Sequence, residues 1–221
     1  MDFVESFLPG NLLWASNIVV VIVTCYLFYR LQWLTGLKKG YLNVWLMAIF
    51  MLGVVWMIRA GLPSGLNIHL FGAMLFTLMF GWRLGVLGMS LICFLVCVWG
   101  NSLPENLGLS VIINAWFAVT FCYICFLLVE SLLPRNFFIY IFVTSFLCSS
   151  ISFIATGSIS VLILGYFDAY PWSVLIEEYL PFYYLMSFAE GFLSCGLITL
   201  MVVYRPQWVY SFRDKRYLIG K

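Results

Sequence analysis

A single histidine, His69, is the strongest candidate for metal chemistry in this sequence, and it lies in the segment 65–73. Imidazole is the commonest side-chain ligand for transition metals in proteins. One histidine cannot supply a bis-histidine haem site or a multi-histidine zinc site, so any metal must be completed by carboxylate, backbone or terminal amine groups. The alternative interpretation is a structural histidine bonded to a neighbouring carbonyl group, and the pattern alone leaves both open.

Glu190 is the one acidic residue placed well inside an apolar run. Ionisable groups at such positions face a cavity or a polar partner, because removing them from water is costly. Glu190 is therefore a candidate for a supporting contact to a ligand or for a proton relay. The alternative is a protonated glutamate bonded to a carbonyl group or to Asn114. Asn114 could equally link neighbouring helices through a hydrogen bond without any ligand role.

All seven cysteines lie inside apolar runs, so they do not resemble a disulfide framework. Cys93 and Cys97, and likewise Cys122 and Cys125, are spaced to share a helix face and could bind a soft metal. The alternative is that each packs as a small hydrophobic residue. A further hypothesis is that the cysteines bind Cu(I) together with Met47, Met51 and Met57.

The elements that position these residues are membrane helices. The chain is 64% hydrophobic and 9% charged, with a mean hydropathy of +1.05, whereas charged residues make up about a quarter of a soluble domain. Seven apolar runs approach the roughly 20 residues that a spanning helix needs. They cover about 12–34, 41–60, 66–81, 84–100, 108–130, 137–166 and 180–204. The third is short and ends at Gly81, so it either spans with help from its neighbours or forms part of a broken, re-entrant element. We predict an all-α polytopic membrane protein, a bundle of six or seven transmembrane helices.

The basic residues predict the orientation of the bundle, because Lys and Arg in short loops stay on the cytoplasmic side. Ten of the eleven follow the first, third, fifth and seventh runs: Arg30, Lys38, Lys39, Arg83, Arg135, Arg205, Arg213, Lys215, Arg216 and Lys221. Arg59 is the exception. This pattern predicts an N-terminus outside and a C-terminus in the cytoplasm.

The N-terminal segment is acidic and apolar, and it lacks the basic region of a secretory signal. We therefore expect no cleavage before the first span, a mature chain that starts at Met1, and a segment that folds back into the bundle. Residues 1–206 are predicted to form one transmembrane domain. The basic tail, 207–221, is predicted to lie against the anionic cytoplasmic leaflet or to form a coupling surface for a partner protein.

Four stretches in the same order resemble the CbiM-type cobalt and nickel binding subunits of energy-coupling-factor transporters. The opening, 1–9, is similar to the family's Met-His-Ile start followed by an acidic residue and Gly-Phe-Leu. His69 with Gly72 and Ala73 resembles the family's second metal histidine. Residues 108–117 resemble a Gly-Leu…Gly-Ala-Asn-Val-Phe stretch, and 188–206, with Glu190-Gly191 and later Arg205-Pro206, resembles the terminal helix.

The resemblance implies a metal site built from the α-amino group of Met1, the backbone amide and side chain of residue 2, and His69. A terminal amine beside imidazole favours nickel or cobalt. Residue 2 is Asp here where the family has His, and a carboxylate binds late divalent metals less tightly than imidazole does. Possible supporting or cavity residues are Glu5, Asn67, Asn114 and Glu190.

The resemblance also implies an energy-coupling partnership, which the sequence supports only in part. Such subunits dock through alanines spaced four apart on the first helix, whereas the first span here offers only Ala15 and Ser16, so that docking motif is not supported. No Walker-type loop is present, and any ATPase must be a separate partner. We predict no enzymatic activity, no organic cofactor and no nucleic-acid partner.

The expected function is to bind and translocate a divalent transition metal, cobalt or nickel. The expected location is the plasma membrane, which the protein crosses several times, and the resemblance implies a bacterial inner membrane. The alternative is an orphan derivative without metal uptake that serves as an assembly or scaffold subunit of a membrane complex. Asp2 in place of histidine is the observation that keeps this alternative open.

Overall fold

The computed structural model describes residues 8–29, 40–58, 60–61, 67–99, 103–213 and 217. The helices are α1 Gly10–Tyr29, α2 Tyr41–Met57, α3 Ala73–Trp99, α4 Pro104–Leu132, α5 Ile139–Tyr166 and α6 Trp172–Tyr204. Within the described ranges, five helices are long and apolar enough to cross a membrane, and α2, with 17 residues, is shorter. The predicted helical, multi-pass architecture is confirmed. The number of crossings and the side of each terminus stay predictions.

The helices differ strongly in how much of their surface the protein covers. In the most apolar stretch of α3, 61% of the residues are buried inside the bundle, compared with 11% in that of α1. α3 is thus the central helix, and α1 packs at the edge against the start of α4. This contact is close because Gly108 has no side chain: a Cβ atom there would lie 2.7 Å from the Cα atom of Asn17. Small residues allow such approach between membrane helices.

A chain reversal at Gly81 divides α3 into two arms. Gly81 has φ 75° and ψ 178°, a backbone conformation that is not helical and that favours glycine. A Cβ atom on Gly85 would lie 3.8 Å from the Cα atom of Thr77, whereas eight residues of straight helix extend about 12 Å. Residues 73–80 therefore fold back against residues 82–99. The third apolar run is thus broken at Gly81 from the helix that follows it, and its crossing of the membrane stays a prediction.

The third run also begins differently from the expected helix. A two-stranded antiparallel sheet, β1 Ala60–Gly61 and β2 Asn67–Ile68, pairs Ala60 with Ile68. A short non-helical loop, 69–72, then leads into α3. The helix starts only after Gly72, whose φ of +66° ends any earlier helical path. The run from 66 to 81 is thus strand, loop and an eight-residue arm.

The C-terminal segment packs against the chain reversal at Gly81. The amides of Tyr210 and Ser211 donate to the carbonyl oxygens of Met79 and Leu78, at 3.0 and 3.1 Å. These carbonyls end the 73–80 arm and would otherwise lack helical partners. Tyr217 is also buried, and its hydroxyl donates to Glu130 at 2.8 Å. The described part of the tail therefore closes this end of the bundle, and the boundary at 206 stays a prediction.

Three of the helices contain wider π-helical turns, which the sequence analysis did not foresee. They are Val111–Phe117 in α4, Ile139–Leu147 in α5 and Leu175–Tyr179 in α6. Such turns shift the register of a helix face and occur frequently at functional sites. The one in α4 carries Asn114.

Candidate metal centre

The loop 69–72 holds the histidine in the interior of the protein. Ile68, His69 and Phe71 are all buried, each with about 1% of its surface exposed. Gly72 closes the loop with its positive φ, and a Cβ atom there would lie 2.8 Å from a methyl carbon of Leu52. The path of this loop therefore requires glycine for both its backbone conformation and its contact with α2.

Aromatic rings surround His69. Its ring centroid lies 4.3 Å from that of Trp56 and 5.3 Å from that of Phe71. The indole nitrogen of Trp56 in turn donates to the carbonyl oxygen of Phe71 at 3.0 Å, which fixes the indole against the loop. The imidazole is thus held in one orientation on a rigid aromatic support.

The hydrogen-bond geometry of His69 is compatible with a metal-binding tautomer. Its Nδ1 atom lies 3.2 Å from the carbonyl oxygen of Leu70. When Nδ1 carries the proton and donates to this oxygen, the lone pair of the neutral ring is on Nε2. Ligating histidines commonly use one ring nitrogen for a carbonyl and the other for the metal. The neighbouring carbonyl of the structural interpretation is therefore present, and it does not conflict with ligation.

Glu190 clamps the same loop from α6. Its two carboxylate oxygens accept hydrogen bonds from the amides of Phe71, at 2.8 Å, and Gly72, at 2.7 Å. The carboxylate thus sits at the N-terminus of α3, where the helix dipole also favours negative charge. Glu190 is 2% exposed. A chain segment 118 residues away in sequence therefore fixes the position of the histidine loop.

Hydroxyl groups surround Glu190 in the packed interior, and the sequence analysis missed them. Ser149, Ser152 and Thr156 of α5 lie there together with Cys122 and Phe71. The Ser149 hydroxyl donates to that of Ser194 at 3.0 Å, while those of Ser152 and Thr156 bond to carbonyls of their own helix. The signal was available, since residues 152, 156 and 160 are hydroxyl residues at a spacing of four.

The other predicted site residues are more dispersed. Asn67 is half-buried in β2 and pairs with Gly61 across the small sheet. Asn114 is buried at 1% exposure on α4. Met1, Asp2 and Glu5 lie outside the described residues. The structure therefore joins His69 and Glu190 through one loop, and their relation to the N-terminal ligands stays a prediction.

The part of the chain that the structure describes holds no group of three His, Cys, Asp or Glu side chains that could bind a metal. The two cysteine pairs thus do not extend into a three-ligand cluster there. Met47, Met51 and Met57 are each more than 40% exposed on the outer face of α2. Within the described residues, a metal ion at His69 would therefore lack a second and third side-chain ligand of these types, and the N-terminal ligands stay a prediction.

Comparison with known proteins finds a matching family and two structures with the same fold. A family profile described as CbiM, the cobalt uptake substrate-specific transmembrane region, matches residues 3–208. A crystal structure described as a transition metal transporter superposes with a TM-score of 0.78 at 16% identity, covering 91% of this chain and 92% of that one. A truncated transition metal transporter gives 0.77 at 16% identity, covering 92% and 98%. No curated protein matches the sequence. At these identities the two structures establish a shared fold.

Proposed function

The chain belongs to the CbiM family of cobalt uptake transmembrane regions, and from this premise we propose that it binds and translocates a divalent transition-metal ion, cobalt or nickel. It acts as the membrane substrate-binding component of an energy-coupling-factor transporter, without enzymatic activity of its own. The observation that supports this best is His69, buried on an aromatic support in a loop that Glu190 holds by two hydrogen bonds.

The proposed ligands are the amine of Met1, the backbone nitrogen and carboxylate of Asp2, and His69. Leu8, the first described residue, is buried at 7% exposure, and Leu13 is fully buried. Pro9, Gly10 and Asn11 between them are exposed, so it is the Leu8 side chain itself that packs into the core. This contact supports insertion of the preceding residues into the bundle. Amine and imidazole nitrogens are borderline donors that suit late divalent metals.

Glu190 acts in this site as a positioning residue. It contacts the loop through backbone amides, so it sets where the imidazole stands without itself being one of the proposed ligands. If the ion binds at His69, a negative charge on Glu190 would also favour it electrostatically.

Energy for transport would come from a transmembrane coupling subunit and ATPases. The weak docking motif on α1 and the replacement of the family's histidine by Asp2 favour a second candidate function: a scaffold subunit that has lost metal uptake. The two candidates differ in metal content and in the partners that they require.

Metal content of the detergent-purified protein, measured by mass spectrometry after incubation with nickel or cobalt, separates these candidates. We expect about one metal per chain in the wild type and in Leu70→Ala, a matched control in the same loop, and none in His69→Ala. Absence of metal from all three, with stable co-purifying membrane proteins, would contradict metal uptake and support the scaffold function.

A further inference from the structure

An apolar groove runs along the outside of the bundle between α2, the 73–80 arm of α3 and α6. It has a volume of about 290 Å³. Four methionines contribute to its walls, and Trp208 lines the end nearest the C-terminal segment. The four methionines are Met47, Met51, Met79 and Met201. Methionine side chains are flexible and adapt to irregular apolar partners.

The groove has the length of half a membrane. On α6 its lining extends from Leu193 to Met201, about 12 Å of helix, and continues to Trp208. Half of the hydrocarbon core of a bilayer is about 15 Å thick. The other end of the groove reaches Gly72 and Leu52, directly behind the histidine loop. An occupant would therefore extend from the membrane interface to the depth of Glu190.

The dimensions and lining of the groove suit a single hydrocarbon chain. A packed helix is about 10–12 Å across, which is too wide for a cavity of this volume and length. Ser194 is the lining residue with a hydroxyl group, and that hydroxyl already accepts a hydrogen bond from Ser149. The groove thus offers mainly contacts to an apolar chain, and its other side-chain polar group is the indole N–H of Trp208 at the end nearest the C-terminal segment.

The groove opens beside positive charge. The guanidinium carbon of Arg205 lies 5.9 Å from the centroid of the Trp208 ring, and Arg205 is exposed. Arg213 follows in the same packed tail and is exposed as well. The described acidic residue at this end, Glu130, accepts a bond from Tyr217 and lies 4.0 Å from the Nε atom of Arg135, so it does not offset the charges of Arg205 and Arg213. Indole rings favour the membrane interface, where basic residues attract anionic lipids.

We infer that the groove binds an anionic phospholipid, with one acyl chain between α2 and α6 and its phosphate at Arg205. This inference does not depend on metal binding. The end of the acyl chain would press on Leu52, whose methyl group meets Gly72, and would thereby support the histidine loop from behind.

Native mass spectrometry of the delipidated protein in detergent tests the inference, with phosphatidylglycerol and phosphatidylcholine of identical acyl chains as probes. Both lipids offer Arg205 a phosphate, but the choline cation cancels the charge of the phosphatidylcholine headgroup. We therefore expect phosphatidylglycerol to bind about five-fold more tightly, as the attraction of one arginine to a net negative headgroup would give. Arg205→Gln should remove this preference, while Arg213→Gln should retain it. Leu197→Trp, which fills the groove, should lower the affinity for both lipids at least several-fold.

The matched control is Leu200→Trp, which adds the same bulk to an exposed position of the same helix, outside the groove. Ala48→Phe fills the groove from α2 and replaces Leu197→Trp if that variant does not fold. Equal affinity for both headgroups, or lipid binding unchanged by either filling variant, would overturn the inference. The inference would also be overturned if the wild type formed a dimer that the groove-filling variants lack, because a second copy of the chain would then occupy the groove.

Discussion

Glu190 links the chemistry of the site to the fold, because one side chain satisfies two consecutive amides at the start of α3. Glu190→Gln keeps the size of the side chain but removes its charge, and it turns one acceptor into a donor that faces an amide N–H. Hydrogen bonds to charged groups contribute about 1.5–3 kcal/mol, so we expect metal affinity to fall about ten-fold or more while membrane insertion remains. Calorimetry with nickel measures the change.

The control for this variant is Glu130→Gln, at the tail contact far along the chain from the loop, which should leave nickel affinity unchanged. Wild-type affinity in a folded Glu190→Gln protein would show that the clamp has no role in binding. Loss of the folded protein would assign Glu190 a packing role. The amount of the protein in the membrane fraction, measured on a blot, distinguishes these results.

Gly72 is the second residue on which the loop depends. Gly72→Ala should destabilise the protein, because φ is +66° and the new methyl group would lie 2.8 Å from Leu52. The expected cost is about 1–3 kcal/mol, measured as a lower thermal midpoint in detergent. Gly53→Ala is the matched control, since nothing lies within 4 Å of its Cβ position.

The double variant Gly72→Ala with Leu52→Ala separates the two causes of this loss. Removing the Leu52 methyl groups relieves the contact but not the backbone strain, so the double variant should remain less stable than Leu52→Ala alone. A Gly72→Ala protein as stable as Gly53→Ala would show that the loop can take another path.

At the scale of elements, α3 and the C-terminal segment depend on each other. A chain that ends after Trp208 would leave the carbonyls of Leu78 and Met79 without the two amides that cap them. We expect a lower thermal midpoint than in Ser211→Ala, which removes the hydroxyl contacts with Leu78 and Tyr140 and keeps both backbone bonds. Equal midpoints for these two proteins would mean that the tail does not stabilise the reversal.

The sequence predicted most helices because apolar runs of about 20 residues leave few alternatives in a membrane. It also marked Gly81 as the end of a short run. It did not predict β1 and β2, since two-residue strands have no periodic signal, or the fold-back of residues 73–80 on residues 82–99, which depends on contacts between distant residues. The sequence did not predict the π-helical turns either, since these also depend on contacts between distant residues.

The site was predictable as separate residues but not as an arrangement. His69 and Glu190 stood out because each is the one residue of its chemical type in its apolar surroundings. Their connection runs through backbone amides of Phe71 and Gly72, which every residue but proline possesses, so no side-chain pattern could reveal it. The N-terminal ligands stay a prediction.

For the whole molecule, we predict seven crossings: α1, α2, the segment 67–80, the 82–99 arm, α4, α5 and α6. The basic residues then place the N-terminus outside and the C-terminus in the cytoplasm. A C-terminal reporter that works only in the cytoplasm should be active, and one that works only outside should be silent. The reverse pattern would show that the orientation is wrong, and matching sides for both termini would exclude an odd number of crossings.

The account as a whole requires Met1, Asp2 and His69 to meet at one metal ion. Nickel calorimetry on the purified wild type and on a chain extended by three residues before Met1 tests this convergence. We predict that the extension abolishes binding, because it removes the terminal amine and leaves no room for the added residues, and that Asp2→His strengthens binding by adding an imidazole. Equal nickel affinity in the wild type, the extended chain and His69→Ala would contradict it.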